Sequence, residues 1–149
     1  MAQTYFGSTL RAGSGTLTDT VDGGFVVLTQ TTTATTLADG SAVTSTVTIP
    51  ADSQIINFFV DCLTVPVAGA GTATAVNATI GTAAAGTQYL SATDVIAGGR
   101  ASLSFTAAQL TAMSDVNNNT TVAFTIDPNG TISTTQGVYR LTVVYAQKV

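Results

Sequence analysis

The sequence predicts an all-β protein, an antiparallel β-sandwich of jelly-roll type with about eight strands. Three observations predict it. About a fifth of the 149 residues are threonine, and alanine, valine, glycine and serine are abundant, a set that suits strands and turns and disfavours long helices. Apolar and polar residues alternate in short runs, as they do along half-buried strands. Turn chemistry, including Asp39-Gly40, the PADS stretch at 50–53 and Asp127-Pro128-Asn129-Gly130, separates these runs at the spacing of two packed antiparallel sheets.

A chain of this length makes one domain. Its one cysteine can form no internal disulfide, so burial and backbone pairing must hold it together. Residues 1–24 contain the turn-rich pieces GSTLRAGSGT and DGG with little sustained alternation. They read as an extended arm with room for one short strand, and residues 25–149 as the domain.

Within the domain, FVVLTQTTTATT from Phe25 and SAVTSTVTI up to Pro50 flank Asp39-Gly40, which predicts a hairpin. The next stretch, IPADSQIINFFVDCLTV, is the most apolar of the chain and holds Asp61 beside Cys62. A period of two puts Ile56, Phe58, Val60 and Cys62 on one face, and Ile55, Asn57, Phe59, Asp61 and Leu63 on the other. Cys62 then continues an apolar stripe and is a structural residue, because a reactive thiol needs an electropositive setting and no basic residue lies nearby in sequence. Asp61 faces the other way, toward solvent or a neighbouring subunit.

After a break at Ala68-Gly-Ala-Gly71, TATAVNATIG predicts a strand, AAAG a turn and TQYLSATDVIAGG a short strand with a loop. Thr106 followed by Gln109 matches a capping box, so one short helix over about 106–113 is expected as a crossover between strands. The strand TTVAFTI, the turn from Asp127 to Gly130 and a closing strand VYRLTVVYA complete the set. In that last strand Tyr139, Leu141, Val143 and Tyr145 oppose Val138, Arg140, Thr142 and Val144.

The ionisable inventory is narrow. Charged residues are 8% of the chain, where globular domains carry about a quarter. There is no histidine, glutamate or tryptophan, and the only basic residues are Arg11, Arg100, Arg140 and Lys148. The usual general base and the commonest metal ligand are therefore missing. Asp19, Asp22 and Asp39 lie in Asp-Gly turn contexts without calcium-loop spacing, and nothing in the sequence brings Asp94, Asp115 or Asp127 together as a carboxylate pair. The Asn-X-Thr matches at Asn77, Asn118, Asn119 and Asn129 arise readily in a threonine-rich chain. No catalytic residue, cofactor or metal is expected.

A net charge of −4 argues against nucleic acid as a partner, since four scattered cations cannot track a phosphate backbone. No stretch is apolar enough to predict a membrane span, and the N-terminus lacks a signal-peptide layout, so assembly in a cytoplasm is expected. With 45% hydrophobic residues and so few charges, the exterior must consist largely of short neutral side chains. These lose little rotamer entropy when covered, which points to a surface hidden by copies of itself or by a larger assembly. Tyr5, Phe6, Leu10 and Arg11 of the arm are the candidate partner-binding residues, placed to hook a neighbour's exposed edge.

The combination VTIPADSQIINFFVDCLTV, ATIGTAAAGTQYLSATDV, FTAAQLTAMSDV and GVYRLTVVYAQ resembles the head decoration, or capsid-stabilising, proteins of tailed bacteriophages over most of residues 43–147. That resemblance implies a β-sandwich, often trimeric, on the virion exterior, with the major capsid protein as partner and no catalytic residues. The competing expectation is a receptor- or glycan-binding head, tail-fibre or adhesin domain with its site on loops 66–72, 81–88 and 92–100. Those loops are mostly alanine, glycine and threonine, a poor set for specific recognition.

Overall fold

The computed structural model describes residues 11–12, 15–16, 25–114, 116 and 118–148. Ten strands and one helix follow in chain order: β1 (Arg11–Ala12), β2 (Gly15–Thr16), β3 (Phe25–Thr35), β4 (Val43–Ile49), β5 (Ser53–Thr64), β6 (Val76–Gly81), β7 (Leu90–Asp94), β8 (Gly99–Arg100), α1 (Ala107–Met113), β9 (Thr120–Pro128) and β10 (Val138–Lys148). Strands β1 and β2 pair with each other. The other eight form two four-stranded antiparallel sheets, ordered β3-β10-β5-β8 and β4-β9-β6-β7.

The order has a simple logic. Counted inward from the two ends of the domain, β3 pairs with β10, β4 with β9, β5 with β8 and β6 with β7. The chain thus behaves as one long antiparallel ribbon wound into a sandwich, and the pairs β10–β5 and β9–β6 join its turns. This is the jelly-roll order. The core fills the space between the sheets: Phe58, Val60, Tyr139, Leu141 and Val143 from one, Ile49, Val76, Ile80, Phe124 and Ile126 from the other, all at most 1% exposed. Each of these strands places alternate residues inward, which is why the period of two was readable in the sequence.

The expected hairpin over 25–49 does not form. β3 and β4 lie in opposite sheets, because the backbone between them pairs elsewhere: Thr36 N–H donates to the Gly137 carbonyl at 2.9 Å, and Ile132 N–H to the Ala38 carbonyl at 2.9 Å. Gly40, at φ +79°, packs against the Gly130 backbone so closely that a Cβ would lie 2.4 Å from its carbonyl oxygen. The Asp39-Gly40 turn steps the chain from one sheet to the other.

The facing of β5 is also corrected at one place. Phe58, Val60 and Cys62 point into the core as the alternation predicts, but Ile55 is buried and Ile56 is 50% exposed. The register against β10 shifts between Val144, opposite Asn57, and Tyr145, opposite Ile55. Ile56 is the extra residue of a β-bulge, which reverses the facing of everything before it. A smaller difference concerns the turn expected from Asp127: β9 runs on through Pro128, opposite Val76, so the turn starts at Asn129. The β4 pairing ends at Ile126, so the missing Pro128 N–H costs no bond on that side.

The helix stands where the capping box predicts. Thr106 accepts from Gln109 N–H at 3.3 Å, and Gln109 Oε1 accepts from Thr106 N–H at 2.9 Å. Buried Gln109 also donates to the Thr87 carbonyl and Ser91 Oγ, which ties the β8–β9 crossover to the β6–β7 loop. Among the described residues no helix is long and apolar enough to cross a membrane.

Candidate interaction surface

Asp61 and Cys62 are not a reactive pair, because adjacent strand residues point to opposite faces. Cys62 is buried, and its thiol donates to the Thr64 carbonyl at 3.4 Å. Burial pushes the thiol pKa up, so little thiolate exists near neutral pH. Tyr139, which packs beside it in the core, is pushed up for the same reason, burial.

On the outer face of the same strand Asp61 is held by two arginines. Arg100 Nε lies 2.8 Å from Oδ1 and Arg140 NH2 3.0 Å from Oδ2. The strand order causes this, since Asp61 sits directly opposite Arg100 on β8 and Arg140 on β10. The Arg100 guanidinium also covers the Phe59 ring at 4.5 Å from its centroid, a cation–π contact. Bonded first to Arg100 and then to Arg140, the Asp61 carboxyl is held below the usual carboxylate range although its burial works the other way. It is therefore ionised near pH 7 and holds no proton to give as a general acid. Sequence distance hid this triad, yet a signal existed: in a chain with four basic residues, an aspartate on the outward side of an apolar strand needs a counter-ion, and Arg140 lies on the outward side of another.

Beside the triad lies a pocket of about 200 Å³ lined by Asn57, Phe58, Phe59, Arg100, Ala101, Leu103 and Phe105. It is smaller than the ~300–1,000 Å³ usual for small-molecule sites. The remaining outer face of the β3-β10-β5-β8 sheet carries no other ionised side chain among residues 26–147: Thr29, Thr31, Thr33 and Thr35 on β3 lie opposite Val144, Thr142, Arg140 and Val138 on β10. Val27, Ile56 and Leu63, at 62%, 50% and 51% exposed, stand around this field. The outer face of the other sheet is partly covered by its own chain, since Ala85 N–H donates to Thr125 Oγ1 and both Ala123 and Thr125 are buried.

The three candidate recognition loops do not come together. Successive antiparallel strands put alternate connections at opposite ends of the sandwich. Loop 66–72 is bound to residues 131–135 through Val67, Thr72 and Ser133, at the end where Gly98 meets Val65. Loop 81–88 lies at the other end, beside α1 through Gln109 and Thr87. Asp39 caps its turn by accepting from Ser41 N–H, and Asp94 accepts from Val76 and Ile96 N–H; Asp127 lies within β9, and Asp19, Asp22 and Asp115 lie outside the described residues. Asn129, one of the Asn-X-Thr matches, latches two loops by accepting from Thr74 and Ala75 N–H. Asn77 is the second residue of β6.

Tyr5, Phe6 and Leu10 lie outside the described residues. The backbone of Arg11 lies opposite Thr16 in the β1–β2 pair. Comparison with protein-family models, curated proteins and solved structures found no match.

Proposed function

We propose that this chain is a non-enzymatic structural protein of a virus particle, seated on the exterior of a phage capsid and stabilising it by self-association and contacts with the major capsid protein. The observation that carries the proposal is the outer face of the β3-β10-β5-β8 sheet. Its ionised groups among residues 26–147 are gathered into one cluster, Asp61 between Arg100 and Arg140, with a single positive charge left over, and the surroundings are threonine and exposed aliphatic side chains. Such a face gains by being covered, because it sheds apolar surface from water, and the one uncompensated arginine charge then needs an acidic group of the partner or retained water. The jelly roll is a fold that virus shells use among many others, and by itself it decides no function.

The test is co-sedimentation of the full chain with purified capsids stripped of it. Near-stoichiometric binding, with capsids that withstand heating better when it is bound, is the expected result. Absence of binding to capsids, together with saturable binding to a glycan array, would replace this reading with the receptor-binding one.

A further inference from the structure

The two sides of the sandwich are protected very differently. On one side the edge strands are β8, two residues long and bearing Arg100, and β7, five residues long and bearing Asp94. Short strands and charges are the ordinary means of keeping a sheet edge from pairing with another chain. On the other side the edges are β3 and β4, eleven and seven residues long. Neither contains a charged residue or a proline, and the β3–β10 register is continuous over all eleven pairs without a bulge.

Among the described residues nothing pairs with the free side of β3. That side also leaves apolar surface open: Leu28, on the inward-facing row, is 37% exposed, and Val27 on the outward row 62%. A long, regular edge without charge, proline or bulge is built to be paired.

We infer that β3 is the self-association edge of this protein, pairing antiparallel with β3 of a second copy about a two-fold axis and joining two four-stranded sheets into one of eight. A second copy is the occupant that the chemistry favours. A two-fold contact sets each strand against itself, and a strand with no ionised group meets its own copy without like-charge repulsion, although each chain carries a net charge of −4. Threonines in register across such a pair add hydroxyl and methyl contacts, and a second copy would cover Val27 and Leu28. This assignment rests on the self-association in the proposed role and names its surface.

The test uses the full chain in sedimentation velocity over a concentration series. Wild-type protein is expected to run as a dimer, or as an even multiple if a second contact exists. The Val27→Lys/Thr31→Lys double variant is expected to raise the dissociation constant at least tenfold, and Thr121→Lys, an exposed site on β9, to leave it unchanged. Hydrogen exchange on the wild type supplies a reading that needs no variant: amides of residues 25–35 should slow as concentration rises.

A wild-type monomer at high concentration, a wild-type trimer of the kind the resemblance implies, or a double-lysine variant that associates as before, overturns the edge assignment. So does loss of association on deleting residues 1–24, since the occupant would then be the arm. Capsid binding that persists in the double-lysine variant leaves the proposed function standing while association of the free protein still judges the edge.

Discussion

Asp61 shows how one side chain can carry opposite meanings in sequence and in space. Beside a cysteine it suggests chemistry; between Arg100 and Arg140 it is a structural anion. Its own side chain is 10% exposed, while those of the arginines are 58% and 42% exposed, so removing the acid leaves cations that water can still reach. Asp61→Asn is therefore expected to cost about 1.5–3 kcal/mol in denaturant unfolding at pH 7, the range for a hydrogen bond to a charged group, and less than a fully buried unpaired charge would. The pH dependence follows from the direction of the shift. The folded-state pKa lies below the unfolded value of about 3.9, so the contribution is complete above about pH 4 and is lost as pH falls through the folded-state pKa. Unfolding curves between pH 7 and pH 2.5 should show a steeper acid loss for wild type than for Asp61→Asn.

At the scale of elements, the bulge in β5 and the cap of α1 give sharp expectations. Ile56 and Phe58 belong to one run of the sequence, and simple alternation treats them alike. The bulge separates them. Ile56→Thr is expected to change stability by no more than about 0.5 kcal/mol, as at other exposed sites. Phe58→Ala should cost about 3–5 kcal/mol, since Phe58 is 1% exposed and its ring lies 5.5 Å from that of Tyr89. Equal effects in urea unfolding would contradict the bulge. Thr106→Ala removes half of the capping box and should cost about 1 kcal/mol, read as a lowered midpoint with an unchanged denaturant slope. The helix was legible because its signal is local, two side chains three positions apart. The bulge was not, because it is a relation between β5 and a partner strand more than eighty residues away.

At the scale of the whole molecule, the step between sheets at Gly40 decides the topology. Its positive φ and the Gly130 backbone beside it leave no room for a side chain. Gly40→Ala should destabilise by about 1–3 kcal/mol from backbone strain, plus the cost of displacing the 129–131 loop, visible as a lowered thermal midpoint. The exterior is a property of the same scale. Sequence composition already said that few charges were available; the strand order alone determined that three of them would gather on one face, two arginines on one aspartate, and that β3 and β4 would be left as uncharged edges on the same side.

By itself the sequence determined the strand-rich class, the helix, the inward rows of β10 and the burial of Cys62, all of which follow from contacts within a few residues or from a period of two along one strand. The tertiary structure alone decided which strands are neighbours. The Asp61 triad, the sheet change between β3 and β4, the bulge at Ile56 and the two separated groups of loops all depend on pairings between distant segments. No local preference encodes these, because an antiparallel strand of threonine and valine fits many partners, and only the closure of a shared core chooses among them.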